Sequence, residues 1–131
     1  MVIESVAVDF DGTLTKVDNF PNIGEINMDA VKVLSDFQEL GGRVVLNTAR
    51  DGYKLHEAVV ALREIGFQPD CVNENLPERI KLYKNDPRKI MGDIFIDDRC
   101  IDFTGDWKKY RQILIKDNEL FKYTQNYAGV E

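Results

Sequence analysis

Val6-Ala7-Val8-Asp9-Phe10-Asp11-Gly12-Thr13-Leu14 is the stretch on which the reading of this chain turns. A hydrophobic run meets two carboxylates at i and i+2, and a glycine then turns the chain away. Alternate side chains of a strand share a face, so Asp9 and Asp11 can look into one pocket. Packing gives no reason to end a buried strand on two acids, because each must keep a partner or water. Carboxylates at a strand's carboxyl end do have chemical uses: holding a metal, attacking phosphorus, moving protons. The stretch therefore reads as a candidate active site.

Outward from it, residues 3–10 are apolar except for Glu4, Ser5 and Asp9, as in a central parallel strand buried on both faces. Pro21, Asn22 and Gly24 mark turns in the interval that follows. Asn27 can cap a helix running to about Leu40, with Met28, Val31, Leu34 and Phe37 on one stripe, and Gly41-Gly42 stops it. Residues 43–47 form a second buried strand ending in Thr48-Ala49-Arg50, after which Asp51-Gly52 turns the chain. Leu55, Ala58, Val59, Leu62 and Ile65 keep helical spacing up to Gly66. A short strand at residues 71–73 and a helix from Pro77 to about Tyr83, broken by Asp86-Pro87, lead to a further strand at residues 93–96. That strand ends on Asp97-Asp98-Arg99. Trp107, Tyr110, Ile113 and Leu114 fit a helix on the sheet, with Trp107 in the core, and residues 117–131 read as a further helix or a tail. Strands alternating with helices at these separations are the βαβ pattern of a three-layer α/β/α, Rossmann-like domain with a parallel sheet.

The totals agree. The 131 residues suit one domain, with a core over about residues 1–116, and such a chain buries roughly two-thirds of its unfolded surface. With 44% hydrophobic and 31% charged residues it is globular in composition. A net charge of −6 without a basic block argues against bulk nucleic-acid or anionic-membrane binding, except for nucleic acid as a phosphorylated substrate. Cys71 and Cys100 have no metal or redox spacing and read as reduced thiols. Glu4, Asp9 and Asp11 spoil any secretory apolar core, and no run approaches the roughly 20 apolar residues of a membrane span. The expectation is a cytoplasmic protein.

Three strands thus end in useful residues: Asp9 and Asp11, then Thr48, then Asp97 and Asp98. In open α/β sheets, ligands bind outside the carboxyl ends of the strands where strand order reverses. With the first strand between the other two, these ends converge. Four carboxylates so crowded call for a cation, and a hard oxygen-loving ion such as Mg²⁺ suits them.

The order Asp-Phe-Asp-Gly-Thr, an apolar strand ending in Thr, a later Lys and an apolar strand ending in Asp-Asp resembles the haloacid dehalogenase-like phosphatases over about residues 3–103. The run from Arg88-Lys89 to Arg99 looks most like small, capless members. The resemblance implies an Mg²⁺-dependent phosphatase acting on a phosphorylated substrate. Asp9 would be the nucleophile that forms an aspartyl-phosphate and would share in holding the metal. Asp11 would be the general acid and base, with its backbone carbonyl on the metal and its pKa above that of metal-bound Asp9. Thr48 would hydrogen-bond a phosphoryl oxygen in a substrate-binding turn with Ala49 and Arg50, and Lys89, with rivals in Lys81 and Lys84, would neutralise the phosphate and nucleophile. Asp97 would ligate Mg²⁺ directly, and Asp98 would do so through water or orient a ligand. Arg50 and Arg99 would pair with the site's carboxylates or contact substrate, and His56 would face solvent.

Members of that family acting on small metabolites cover the site with a cap. Here the intervals 14–26 and 73–93 are too short for a separate domain, which usually needs about 50 residues. The expectation is an open site with at most a small flap at residues 16–25. Two other readings stand beside it: a catalytically weak binding module of the same fold, and a receiver-like phospho-acceptor. Receivers carry the acidic pair after the first strand and the phosphorylated Asp after a later one, the reverse of this chain, and would leave Asp11 without a task.

Overall fold

The computed structural model describes residues 2–84 and 89–128. The elements run β1 (Ser5–Val8), α1 (Met28–Glu39), β2 (Arg43–Leu46), α2 (Gly52–Glu64), β3 (Cys71–Val72), α3 (Pro77–Tyr83), β4 (Ile94–Ile96) and α4 (Trp107–Arg111). α4 continues through a π-helical segment, Gln112–Asp117, into α5 (Asn118–Ala128). The strands form a parallel sheet in the order β3-β2-β1-β4. β1 is central, with Val8 paired to Leu46 on one side and to Ile96 on the other. Asn47 N–H donates to Val8 O at 2.8 Å and Asp9 N–H to Ile96 O at 2.9 Å, so pairing extends to the carboxyl ends where the acids stand. This is the expected α/β architecture, a Rossmann-like parallel sheet with helices on it.

Strand alternation divides the core. Val6, Val8, Val44 and Leu46 join one cluster with Leu34 and Phe37 of α1, Ala58 and Leu62 of α2, Trp107 and Leu114. Val45, on the opposite face, packs with Cys71, Leu76 and Ile90. Asn27 caps α1 as expected, its side-chain oxygen accepting from the Asp29 and Ala30 N–H groups. Met28 does not join the α1 stripe. It is the first helical residue and is 52% exposed, while Ala30 and Val33 are buried beside Val31, Leu34 and Phe37. In α2 only Ala58 and Leu62 are fully buried, and Ile65 lies past the helix end, 37% exposed. The C-terminal segment is helical through Ala128. Buried Asn118 fastens its start to β1's approach, accepting from Ile3 N–H and donating to Ile3 O, each at 2.8 Å. The expected break at Asp86-Pro87 and residues 129–131 of the expected tail lie outside the described residues. Among the described residues, no helix is long and apolar enough to cross a membrane.

Candidate active site

The chain leaves β1 through a tight turn in which the Thr13, Leu14 and Thr15 N–H groups all donate to Phe10 O. The Gly12 N–H donates to Thr15 Oγ1 at 2.9 Å. Gly12 has φ +79°, and a Cβ there would collide with the Asp98 carboxylate. Only glycine both adopts that backbone freely and leaves room for Asp98. The turn thus brings the first and last acidic strand ends together. Thr13, itself buried, ties them: its hydroxyl donates to Asp9 Oδ2 at 3.3 Å and accepts from the Asp98 N–H at 3.0 Å.

Asp9, Asp97 and Asp98 each bring one carboxylate oxygen within 4.8 Å of the others. Among the described residues, none of the three forms an ion pair. Burial, and then the neighbouring Asp97 charge, push the Asp9 pKa up to about 7. Burial and Asp97 also raise that of Asp98. These shifts express repulsion among anions in a partly dry site. A cation placed among them would remove it, and a donor set made only of carboxylate oxygens suits a hard divalent ion.

The carboxylate of Asp11 lines the same cleft but is not one of this cluster. It accepts from Arg50 through two parallel bonds, Nε to Oδ2 and Nη2 to Oδ1, both 2.7 Å. The Arg50 side chain is wholly buried and that of Asp11 is 12% exposed, and the pair raises the Arg50 pKa. Breaking such a buried pair from one side costs about 3–5 kcal/mol, because the other charge is left without a partner. The metal donor expected of Asp11 is its backbone carbonyl, which this side-chain pairing leaves untouched. Of the two expectations for Arg50, pairing with a site carboxylate is the one seen: its guanidinium is committed to Asp11 and to main-chain carbonyls rather than presented to a substrate.

Thr48 stands at the end of β2 on the cleft wall, its Oγ1 accepting from the Arg50 N–H at 3.1 Å. That leaves the hydroxyl proton to donate into the cleft. Asn73, just past β3 at φ +51°, fixes this turn from behind: its Oδ1 accepts from the Thr48 N–H and its Nδ2 donates to Arg50 O. The cleft of ≈ 510 Å³ is lined by Asp9, Asp11, Thr48, Ala49, Arg50, Asp97 and Asp98. Asp18, Phe20, Asn47 and Arg99 complete its wall. Lys89 is not among them. It is exposed, and its described bond is the acceptance by its main-chain oxygen from Asn75 Nδ2. His56 is exposed and Trp107 buried, as expected.

Sequence reasoning missed Thr13, Asp18, Phe20 and Asn73. Asn73 follows a strand's carboxyl end, the same signal that singled out Thr48. Thr13 lay inside the opening stretch, but its task depends on a turn whose partner is 85 residues away.

No protein-family model and no curated protein matches the chain. A solved structure, that of a conserved protein from Bacteroides thetaiotaomicron, superposes with a TM-score of 0.76 at 33% sequence identity, covering 86% of this chain and 90% of that one.

Proposed function

The chain belongs to the same family as that conserved Bacteroides thetaiotaomicron protein, and we propose that it is an Mg²⁺-dependent phosphomonoester hydrolase that works through an aspartyl-phosphate on Asp9. The observation that carries this reading is the convergence of the Asp9, Asp97 and Asp98 carboxylates in one open cleft with Thr48 and Asp11. The resemblance of the Asp9-to-Thr13, Thr48 and Asp97-Asp98 stretches to haloacid dehalogenase-like phosphatases supports it.

Asp9, Asp97 and Asp98 would hold the ion, which would supply positive charge to offset that of the nucleophile and of the phosphoryl group whose phosphorus it attacks. An Asp9 oxygen forms a bond to phosphorus as the bond to the leaving oxygen breaks, and Asp11, carrying the proton it takes from water in the preceding turnover, passes it to that oxygen. Water then attacks the same phosphorus, giving its proton to Asp11, and the bond to Asp9 breaks to release inorganic phosphate. Splitting one displacement into two is what a carboxylate nucleophile contributes. The Thr48 hydroxyl donates to a phosphoryl oxygen, a fixed dipole aimed at developing charge. Arg99, exposed at the cleft wall and without an ion pair among the described residues, would meet the anionic substrate. Lys89 would have to reach the cleft from outside its wall. A cytoplasmic setting belongs to the same reading, since Cys71 and Cys100 are free thiols.

The test is hydrolysis of 4-nitrophenyl phosphate by wild type and Asp9→Asn, with Mg²⁺ and with excess chelator. Metal-dependent turnover lost in Asp9→Asn is expected. Inactivity of wild type with metal across sugar, nucleotide and peptide phosphates, or full activity of Asp9→Asn, overturns the proposal.

A further inference from the structure

Arg50 is the most heavily engaged side chain of the site. Each of the five N–H groups a guanidinium carries has a described acceptor: two on the Asp11 carboxylate, the others on Pro21 O, Asn22 O and Lys54 O. Its carbon also lies 5.2 Å from the ring centroids of Phe10 and Phe20. Three parts of the chain therefore meet on one buried cation: the turn after β1, the start of α2, and the loop at residues 16–25.

That loop is closed at its base. Lys16 N–H donates to Glu25 O at 2.8 Å, Asn27 N–H to Leu14 O at 2.7 Å, and Thr15 bridges antiparallel to Ile26. Its tip carries Asp18 and Phe20, both on the cleft wall. Both described hydrogen bonds of the Asp11 carboxylate go to Arg50, so the described polar link between Asp11 and the loop tip runs through this one side chain.

We propose that Arg50 is a positioning residue that couples the 16–25 loop to Asp11, holding the carboxylate at one fixed place beside the cleft while it fastens the loop tip at the cleft wall. The proposal deepens the phosphatase reading and, for its kinetic half, rests on it. A guanidinium suits the task because its planar fork binds a carboxylate with two bonds and still has three N–H groups for carbonyls. An ammonium keeps the charge but cannot reproduce that geometry.

The experiment pairs leaving-group kinetics with amide hydrogen exchange on wild type, Arg50→Lys and Asp11→Asn. An alkyl phosphate needs its leaving oxygen protonated, and 4-nitrophenyl phosphate scarcely does. Arg50→Lys should lower kcat for the alkyl ester by on the order of tenfold or more, within the range of general acid catalysis, and change kcat for the aryl ester far less. The same substitution in an Asp11→Asn background should add little. In exchange, residues 16–25 should lose protection in Arg50→Lys and also in Asp11→Asn, while β1 and β2 keep theirs. Equal losses on both esters, or a loop unaffected in Asp11→Asn, overturn the coupling. If wild type hydrolyses neither ester, the phosphatase reading falls, and the exchange result alone decides whether Arg50 joins the loop to Asp11.

Discussion

The Asp98 main-chain N–H donates to the Thr13 hydroxyl, and the same hydroxyl donates to Asp9. One buried oxygen thus sets the separation of two acids that lie far apart in the sequence. Thr13→Val keeps the shape and removes both bonds. It should destabilise the fold by about 1–3 kcal/mol, the cost of an unsatisfied part-buried donor, and weaken divalent-ion binding by on the order of tenfold. Thr13→Ser should restore most of both. Urea denaturation and calorimetric titration with Mg²⁺ measure the two effects, and a valine variant indistinguishable from wild type in both would refute the role.

Gly12→Ala tests the same junction from the other side. The alanine would have to hold φ near +79° and push aside the Asp98 carboxylate. The backbone term alone is about 1–2 kcal/mol. The expected outcome is a lower melting temperature together with loss of metal binding. A variant that keeps full metal affinity would show that Asp98 is not needed where it stands.

Asp9 makes metal-free stability depend on pH in a stated direction. Its pKa rises from the ordinary 3.8 to about 7 on folding, so between those values the folded state binds a proton that the unfolded chain does not. Stability is then greatest below pH 4 as far as this group is concerned, and its contribution is lost as pH rises through about 7. Chelator-treated protein should lose melting temperature from pH 5 to pH 8. Asp9→Asn should flatten that trend, and Mg²⁺ should restore the lost stability at pH 8. A trend unchanged in Asp9→Asn would assign it to another group.

Asn118→Leu concerns the fold rather than the site. The two bonds to the Ile3 peptide leave a buried donor and acceptor unpartnered when removed, at a cost of about 3 kcal/mol. A shift of the urea midpoint of that size is expected, together with faster hydrogen exchange at Ile3. Normal protection at Ile3 would mean that the helix does not depend on this anchor.

The parts of the fold that could be read in advance were local. Val6 to Val8, Val44 to Leu46 and Ile94 to Ile96 are strands because short, β-branched or apolar runs between turn residues have few alternatives, and Asp9, Asp97 and Thr48 follow from where those strands end. Asn27 and Gly66 punctuate helices by their own chemistry. Contacts between distant segments were not readable in this way. Nothing in Thr48-Ala49-Arg50 says that the guanidinium turns back to an acid 39 positions earlier rather than outward to a substrate. That choice depends on two aromatic rings and a set of loop carbonyls that exist only once the 16–25 loop has folded. Met28 failed as a core residue for a related reason: periodicity locates a stripe but not where along it burial begins, and Met28 is the first helical residue.

β4 is three residues long and, among the described residues, has a partner, β1, on one side only; Phe95 at its middle is 43% exposed. Asp97 and Asp98 therefore hang from the sheet's margin, whereas Asp9 grows from its midline. A cation shared by the three would span that boundary and act as a rivet between the outermost strand and the innermost. Loading the site and keeping the margin closed would then be a single event, and a depleted protein would fray first along the strand that leads into two of the three acids.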